Sequence, residues 1–287
     1  MPPAPPARAH LAGGWRFAVF VLACAVGILG AGVVLPPVTA AVERLAGLRL
    51  PTYLLGLGAG LWLGHWWTFR QVQPDGWAAV CLDRAAARPG AIALGALLGA
   101  AAVGIPSVAL LAVGWLRLEP APAGDSLAAA LVALGELVPA ALWEELLVRG
   151  YALALLRESL GPRRAIVLTS AAFGLLHLEN AGATVQSILL VTLAGIFLGT
   201  LVVALRSLYA AWAAHVAWNF VMAGVLHVAV SGLGMPAPNY RVVDRGPDWA
   251  TGGAWGPEAG AFAAVGLVVA TLYLIRRQPR PGSQSHA

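Results

Sequence analysis

Residues 127–156 read LAAALVALGELVPAALWEELLVRGYALALL. The run is long and apolar enough to cross the ~30 Å hydrocarbon core of a bilayer, yet it carries Glu144, Glu145 and Arg149 within two helical turns. An ionisable side chain near the bilayer centre costs roughly 2.5–3.5 kcal/mol on insertion scales, so three together demand mutual compensation or a function. Whether this segment lies in a membrane decides the fold of the whole chain, and composition answers it. Of the 287 residues, 59% are hydrophobic and 11% charged, against about 25% charged in soluble domains. Mean hydropathy is +0.77. The chain reads as an integral membrane protein.

Seven further apolar stretches lie at 15–35, 53–69, 90–116, 165–178, 185–205, 208–230 and 261–275. With 127–156 they predict an all-α, polytopic fold of about eight transmembrane helices. All 18 basic residues are arginine, and with the N-terminus inside, 13 of them fall on the inner side. That asymmetry predicts an N-in, C-in orientation. The formal charge of +5 is this topology signal. No basic face interleaved with aromatics points to nucleic acid, and membrane lipids are the partners the charge implies.

Residues 1–12 and 278–287 are proline-rich or polar and read as disordered tails around a single transmembrane domain at 13–277. Cys24 and Cys81 have neither a disulfide framework nor a metal-ligand spacing. Trp15, Trp66, Trp67 and Trp115 sit at span ends and read as interfacial anchors, with His65 beside two of them at the headgroup boundary. Gly95 with Gly99, and Gly195 with Gly199, have the four-residue spacing of close helix packing.

The polar residues inside the spans form a pattern. Glu145 precedes Arg149 by four positions, the favourable order for a helical ion pair. Glu144 is turned ~100° away and lacks a partner on its own helix. A turn at Leu160-Gly161-Pro162 lies about 17 residues after Glu144 and 16 before His177, so an antiparallel hairpin brings both to similar depth. His215 and Asn219, four apart on one face of the seventh span, lie at a compatible depth beyond a second inner turn at Arg206-Ser207. Glu136 reads as interfacial, and His227 as too far along its span to join the group. Glu179 and Asn180 read equally as caps or as cavity lining. A carboxylate placed this way can take a proton from water that a histidine holds in line. A second histidine and an amide can donate to an oxyanion developing on a carbonyl. The sum is hydrolysis of an amide inside the bilayer.

Glu-Glu-x-x-x-Arg, Phe-x-x-x-His and His-x-x-x-Asn, in that order on successive spans, resemble the CPBP intramembrane protease family. That family includes type II CAAX prenyl endopeptidases and bacterial proteins of bacteriocin processing and immunity. The resemblance covers residues 143–220, within a core at about 125–230. It implies that Glu144 activates water with His177, that His215 and Asn219 stabilise the oxyanion, and that Glu145, Arg149 and Phe173 support the site. It implies a membrane-embedded or lipid-anchored polypeptide substrate and a multi-pass protein of the bacterial plasma membrane. It leaves the cofactor open: the family carries a metalloprotease label, and zinc held by His177 and His215 stands beside metal-free water activation, although no His-Glu-x-x-His helix is present. A non-catalytic immunity, substrate-binding or proton-handling protein using the same cavity is the alternative.

Overall fold

A helix forms at each of the eight predicted positions in the computed structural model, which describes residues 7–277. In chain order the elements are α1 (Ala7–Ala46), α2 (Thr52–Gln71), α3 (Gly76–Ala79), α4 (Pro89–Ala112), β1 (Leu116–Pro120), α5 (Ser126–Arg149), α6 (Tyr151–Leu160), α7 (Pro162–Leu175), α8 (Val185–Leu205), α9 (Leu208–Phe220), β2 (Tyr240–Asp244), α10 (Asp248–Thr251) and α11 (Ala261–Arg277). Helix α1 takes in residues 7–12, assigned by composition to the N-terminal tail. Residues 1–6 and the whole C-terminal tail, 278–287, lie outside the described residues.

Among the described residues five stretches are long and apolar enough to cross a membrane: Gly13–Ala46, Pro89–Ala112, Ser126–Leu160 across α5 and α6, Val185–Leu205, and Leu208–Leu226 across α9 and the π-turn that follows it. Their outer faces carry exposed Leu22, Leu29, Val33, Ile105 and Leu189. In water this apolar belt would be a liability; in lipid it is solvated.

Small residues set the helix contacts. A Cβ added to Gly95 would land on the carbonyl oxygen of Ala210, and one on Gly99 on that of Ala214. Helix α4 therefore lies backbone to backbone on α9, as the four-residue spacing predicts. Gly195 and Gly199 close α8 onto Ser170 and Ile166 of α7, where an added Cβ would sit at 2.9 and 3.2 Å. Gly60 and Gly64 do the same for α2 against Ile28 and Cys24 of α1. Cys24 and Cys81 are both free and buried.

Two turns fall at the positions that the sequence spacing predicts. Gly161, at φ +80°, separates α6 from α7, whose first residue is Pro162. Arg206 takes the left-handed conformation, and the Ser207 hydroxyl caps α9 by accepting from the Ala210 N–H at 3.2 Å.

Two departures from the expected helices shape the site. The run at 127–156 is not one helix: the chain breaks at Gly150, with φ −72° and ψ −127°, and α6 restarts at Tyr151. The freed Tyr151 N–H donates to Nε2 of His65 at 3.2 Å, while Nδ1 of that ring donates to the Leu61 carbonyl at 2.8 Å. His65 is thus fully buried, packed edge-on against Phe20 and Phe69. The reason is that a helix restart needs an acceptor for its first N–H. The second departure is α7, which ends at Leu175, so His177 lies in the turn beyond the helix and not within a span reaching 178.

Strands β1 and β2 pair antiparallel, Leu116 opposite Asp244 and Pro120 opposite Tyr240. This two-stranded ribbon, absent from the all-helical reading, ties the segment after α4 to the segment before α10. Arg245 donates to Glu119 at 2.8 Å and Arg241 at 3.4 Å, and the first of these chiefly holds the Glu119 carboxyl below its ordinary range.

The α4–α9 contact is open to a direct test. Overpacking costs typically ~1–3 kcal/mol, so Gly99→Leu is expected to lower the thermal unfolding midpoint in detergent. Gly90→Leu, at a position where an added Cβ meets nothing within 4 Å, should leave it unchanged. Equal midpoints for the two variants would contradict the backbone contact.

Candidate active site

Helix α5 delivers three charges, and packing sorts them. Arg149 Nη1 donates to Oε1 of Glu145 at 3.1 Å, with both side chains 0% exposed. The guanidinium lies over the Phe173 ring, 4.1 Å from its centroid, so the cation is partnered on a second side by the aromatic face. Gly195 of α8 makes room for it: a Cβ there would stand 3.1 Å from the second guanidinium nitrogen. The pair that sequence spacing predicts is therefore present and sealed.

Helix α9 meets the same carboxylate from the other side. His215 Nδ1 donates to Oε1 of Glu145 at 3.0 Å, and its Nε2 stands 3.8 Å from Oε2 of Glu144. One oxygen of Glu145 thus binds α5 and α9 together and aims His215 at Glu144. With Nδ1–H committed, a neutral His215 offers Nε2 as an acceptor, and only the doubly protonated ring donates from that atom. His177 is fixed in a parallel way: Nδ1 donates to the Phe173 carbonyl at 2.8 Å, leaving Nε2 free. The Phe173 ring packs against both histidines, with centroids 4.8 and 6.1 Å away.

Two cavities meet at His177. Glu144, 21% exposed along its side chain, lines one of about 290 Å³ together with His177, Trp143, Leu137, Leu54 and Met235. His177 and Phe173 also line a second cavity of about 30 Å³, shared with His215, Asn219, Ser231 and Glu258. The smaller is large enough for a water molecule bounded by polar groups; the larger admits side chains. Of the seven residues singled out by the sequence motifs, Glu144 lines the larger cavity, His215 and Asn219 line the smaller, His177 and Phe173 line both, and Glu145 and Arg149 are sealed behind them.

The donor set does not fit a metal. Among the described residues no group of three or more His, Cys, Asp or Glu side chains is arranged to hold an ion, whereas a catalytic zinc takes three protein ligands and an open position. Both histidines are bonded within the protein through Nδ1, which leaves each Nε2 free.

Three residues enlarge the picture given by the motifs. Glu136, expected at the interface, lines the larger cavity with Glu144. Asn180 lines that cavity and donates Nδ2 to the Ser231 carbonyl at 3.0 Å. Glu258 was not among the sequence candidates: it lies in a segment with no helical period, between Pro257 and Gly260, and only closure of the fold brings it to the site. His227 stays apart, as expected, bonded to the Ala223 carbonyl and stacked on Tyr240.

Residues 126–221, about a third of the chain and spanning α5 to α9, match the family described as Rce1-like, type II CAAX prenyl endopeptidase Rce1-like. The match supports the family resemblance carried by the three motifs, and with it a membrane protease. No curated protein and no solved structure matches the chain.

Removing one member of a buried ion pair costs about 3–5 kcal/mol, because the other is left charged without a partner. Arg149→Ala is therefore expected to destabilise the protein by that amount in chemical or thermal unfolding. Parental stability in Arg149→Ala would remove the ion pair from its bracing role.

Proposed function

We propose that this chain is an intramembrane endopeptidase that hydrolyses a peptide bond in a membrane-embedded or lipid-anchored substrate, of which a prenylated CAAX-type protein is the leading class. The observation that carries this reading is the setting of Glu144. Its carboxylate opens onto a substrate-sized, largely apolar cavity, shares that cavity with His177, and has Nε2 of His215 at 3.8 Å.

In the proposed reaction, Glu144 removes a proton from a water molecule that His177 orients through its free Nε2. The oxygen attacks the peptide carbonyl carbon, forming a C–O bond and placing the negative charge on the former carbonyl oxygen. Doubly protonated His215, its charge balanced by Glu145, and the Asn219 amide donate to that oxyanion. Collapse of the intermediate breaks the C–N bond, and Glu144 returns its proton to the departing amine. Arg149 keeps Glu145 in position and Phe173 packs the two imidazoles. The apolar walls exclude bulk water, which strengthens each of these electrostatic contacts.

The proposed topology has eight spans with both termini in the cytoplasm, in the plasma membrane of a bacterium. The helices α2, α7 and α11 join the five longer stretches in this arrangement, and the arginine asymmetry supports the orientation.

The test compares parent and Glu144→Gln in liposomes, on a quenched prenylated peptide and a transmembrane-peptide library. General-base removal is expected to lower turnover by about 10²–10⁴-fold with little change in unfolding midpoint. Full turnover in Glu144→Gln overturns the role of Glu144. Absence of cleavage by the parent across the library, together with full biological activity of Glu144→Gln, favours a non-catalytic binding or immunity protein.

A further inference from the structure

Glu258 lies outside the family-matched segment and is buried at 8% exposure. Its carboxylate accepts four hydrogen bonds: from Trp218 Nε1 at 2.9 Å, Trp255 Nε1 at 3.1 Å, the Ser231 N–H at 2.5 Å and the Ser231 hydroxyl at 2.9 Å. An ionised carboxylate is an acceptor only, so four converging donors match it and no neutral side chain of similar size.

The partners matter because of what lies next to them. Trp218 precedes Asn219 on α9 and follows His215 by three positions, less than one helical turn. Ser231 is held in the left-handed region at φ +50°, a strained conformation for a non-glycine residue that persists where its surroundings over-determine it. Here they do: its N–H and hydroxyl bind Glu258, and its carbonyl accepts from Asn180. Asn180 belongs to the turn of His177, its own N–H bonded to the His177 carbonyl at 3.1 Å. A continuous chain of bonds therefore runs from the His177 turn through Asn180, Ser231 and Glu258 to Trp218 on α9.

We infer that Glu258 is a positioning residue, which fixes the His177 turn relative to the His215–Asn219 face of α9 across the small cavity that all of them line with Ser231. The assignment rests on the peptidase reading above. Helix α7 ends before His177; the Nδ1 bond to the Phe173 carbonyl ties the ring to the last turn of α7, and the bonds through Asn180, Ser231 and Glu258 fix that turn against α9. Misplacement of reacting groups by about 1 Å can cost 10²-fold in rate, and a glutamine here would set an NH₂ against at least one N–H or O–H donor.

The experiment uses the full chain in liposomes with the peptide cleaved by the parent, comparing Glu258→Gln, Trp218→Phe, which removes one donor and keeps a ring, and Glu258→Asp. Turnover and hydrogen exchange are read together. For Glu258→Gln we expect kcat to fall about 10- to 100-fold with KM within about twofold. Exchange should quicken at residues 177–183 and 230–233 and stay as in the parent in α2. Trp218→Phe should show a smaller change of the same kind, and Glu258→Asp should recover part of the rate. Parental exchange at 177–183 in both Glu258→Gln and Trp218→Phe overturns the inference, as does faster exchange throughout the protein, which marks a merely structural carboxylate. Local quickening with kcat unchanged overturns it as well. If the parent cleaves no peptide, the peptidase reading is what fails, and the exchange measurement still decides whether Glu258 couples the turn to α9.

Discussion

One oxygen of Glu145 organises the molecule. It accepts from Arg149 one turn along α5 and from His215 on α9, in a place closed to solvent. Burying a carboxylate and a guanidinium in such surroundings costs several kcal/mol per ion, and their attraction offsets that only with good geometry and further bonds. Here His215 adds a second bond to Glu145, while Glu145 Oε2 and Arg149 Nε and Nη2 have no hydrogen-bond partner among the described residues. The Phe173 face lies against the guanidinium, and Gly195 leaves α8 without a side chain where Arg149 needs space. Three helices, α5, α7 and α9, are thereby fixed to one another by a single buried charge pair and its neighbours. Glu144, next along α5, faces the larger cavity.

Helix ends, more than helix faces, bring the other polar groups into reach. The break at Gly150 ends α5 directly after Arg149, and His65 on α2 makes that break tolerable by accepting the Tyr151 N–H. An added Cβ on Gly150 would overlap the same ring, so backbone, glycine and histidine form one joint. At the opposite end of the site, α7 stops at Leu175 and the chain turns, carrying His177 on irregular backbone whose carbonyls and amides are bonded within the turn. Of that turn, His177 and Asn180 line the larger cavity, while Leu178 is exposed.

How much of this the residues disclosed follows from the range of the forces involved. The apolar stretches, the turn at Gly161-Pro162 and the pairing of Glu145 with Arg149 depend on neighbours within a few positions, and they were legible. The nearness of His177 and His215 to Glu144 could be counted in residues of hairpin depth, whereas Asn219 lines the smaller cavity, which Glu144 does not. The burial of His65 was not legible: its sequence neighbours Trp66 and Trp67 spoke for an interface, while the deciding group, the Tyr151 N–H, is 86 positions away. Glu258 was missed for the same reason, since its partners Trp218 and Ser231 come from other elements. The strand ribbon pairs two short segments on opposite sides of the site helices in sequence, and neither has enough alternating residues to announce itself.

The brevity of α7 has a consequence for the surrounding lipid. Fourteen residues rise ~21 Å, about two-thirds of a ~30 Å hydrocarbon core. In the proposed topology the acyl chains beside α7 must compress to meet it, since a helix shorter than the core is accommodated by thinning of the bilayer. The headgroup region then dips toward His177. A scissile bond carried in by a lipid anchor has less hydrocarbon to cross, and so does the water that cleaves it.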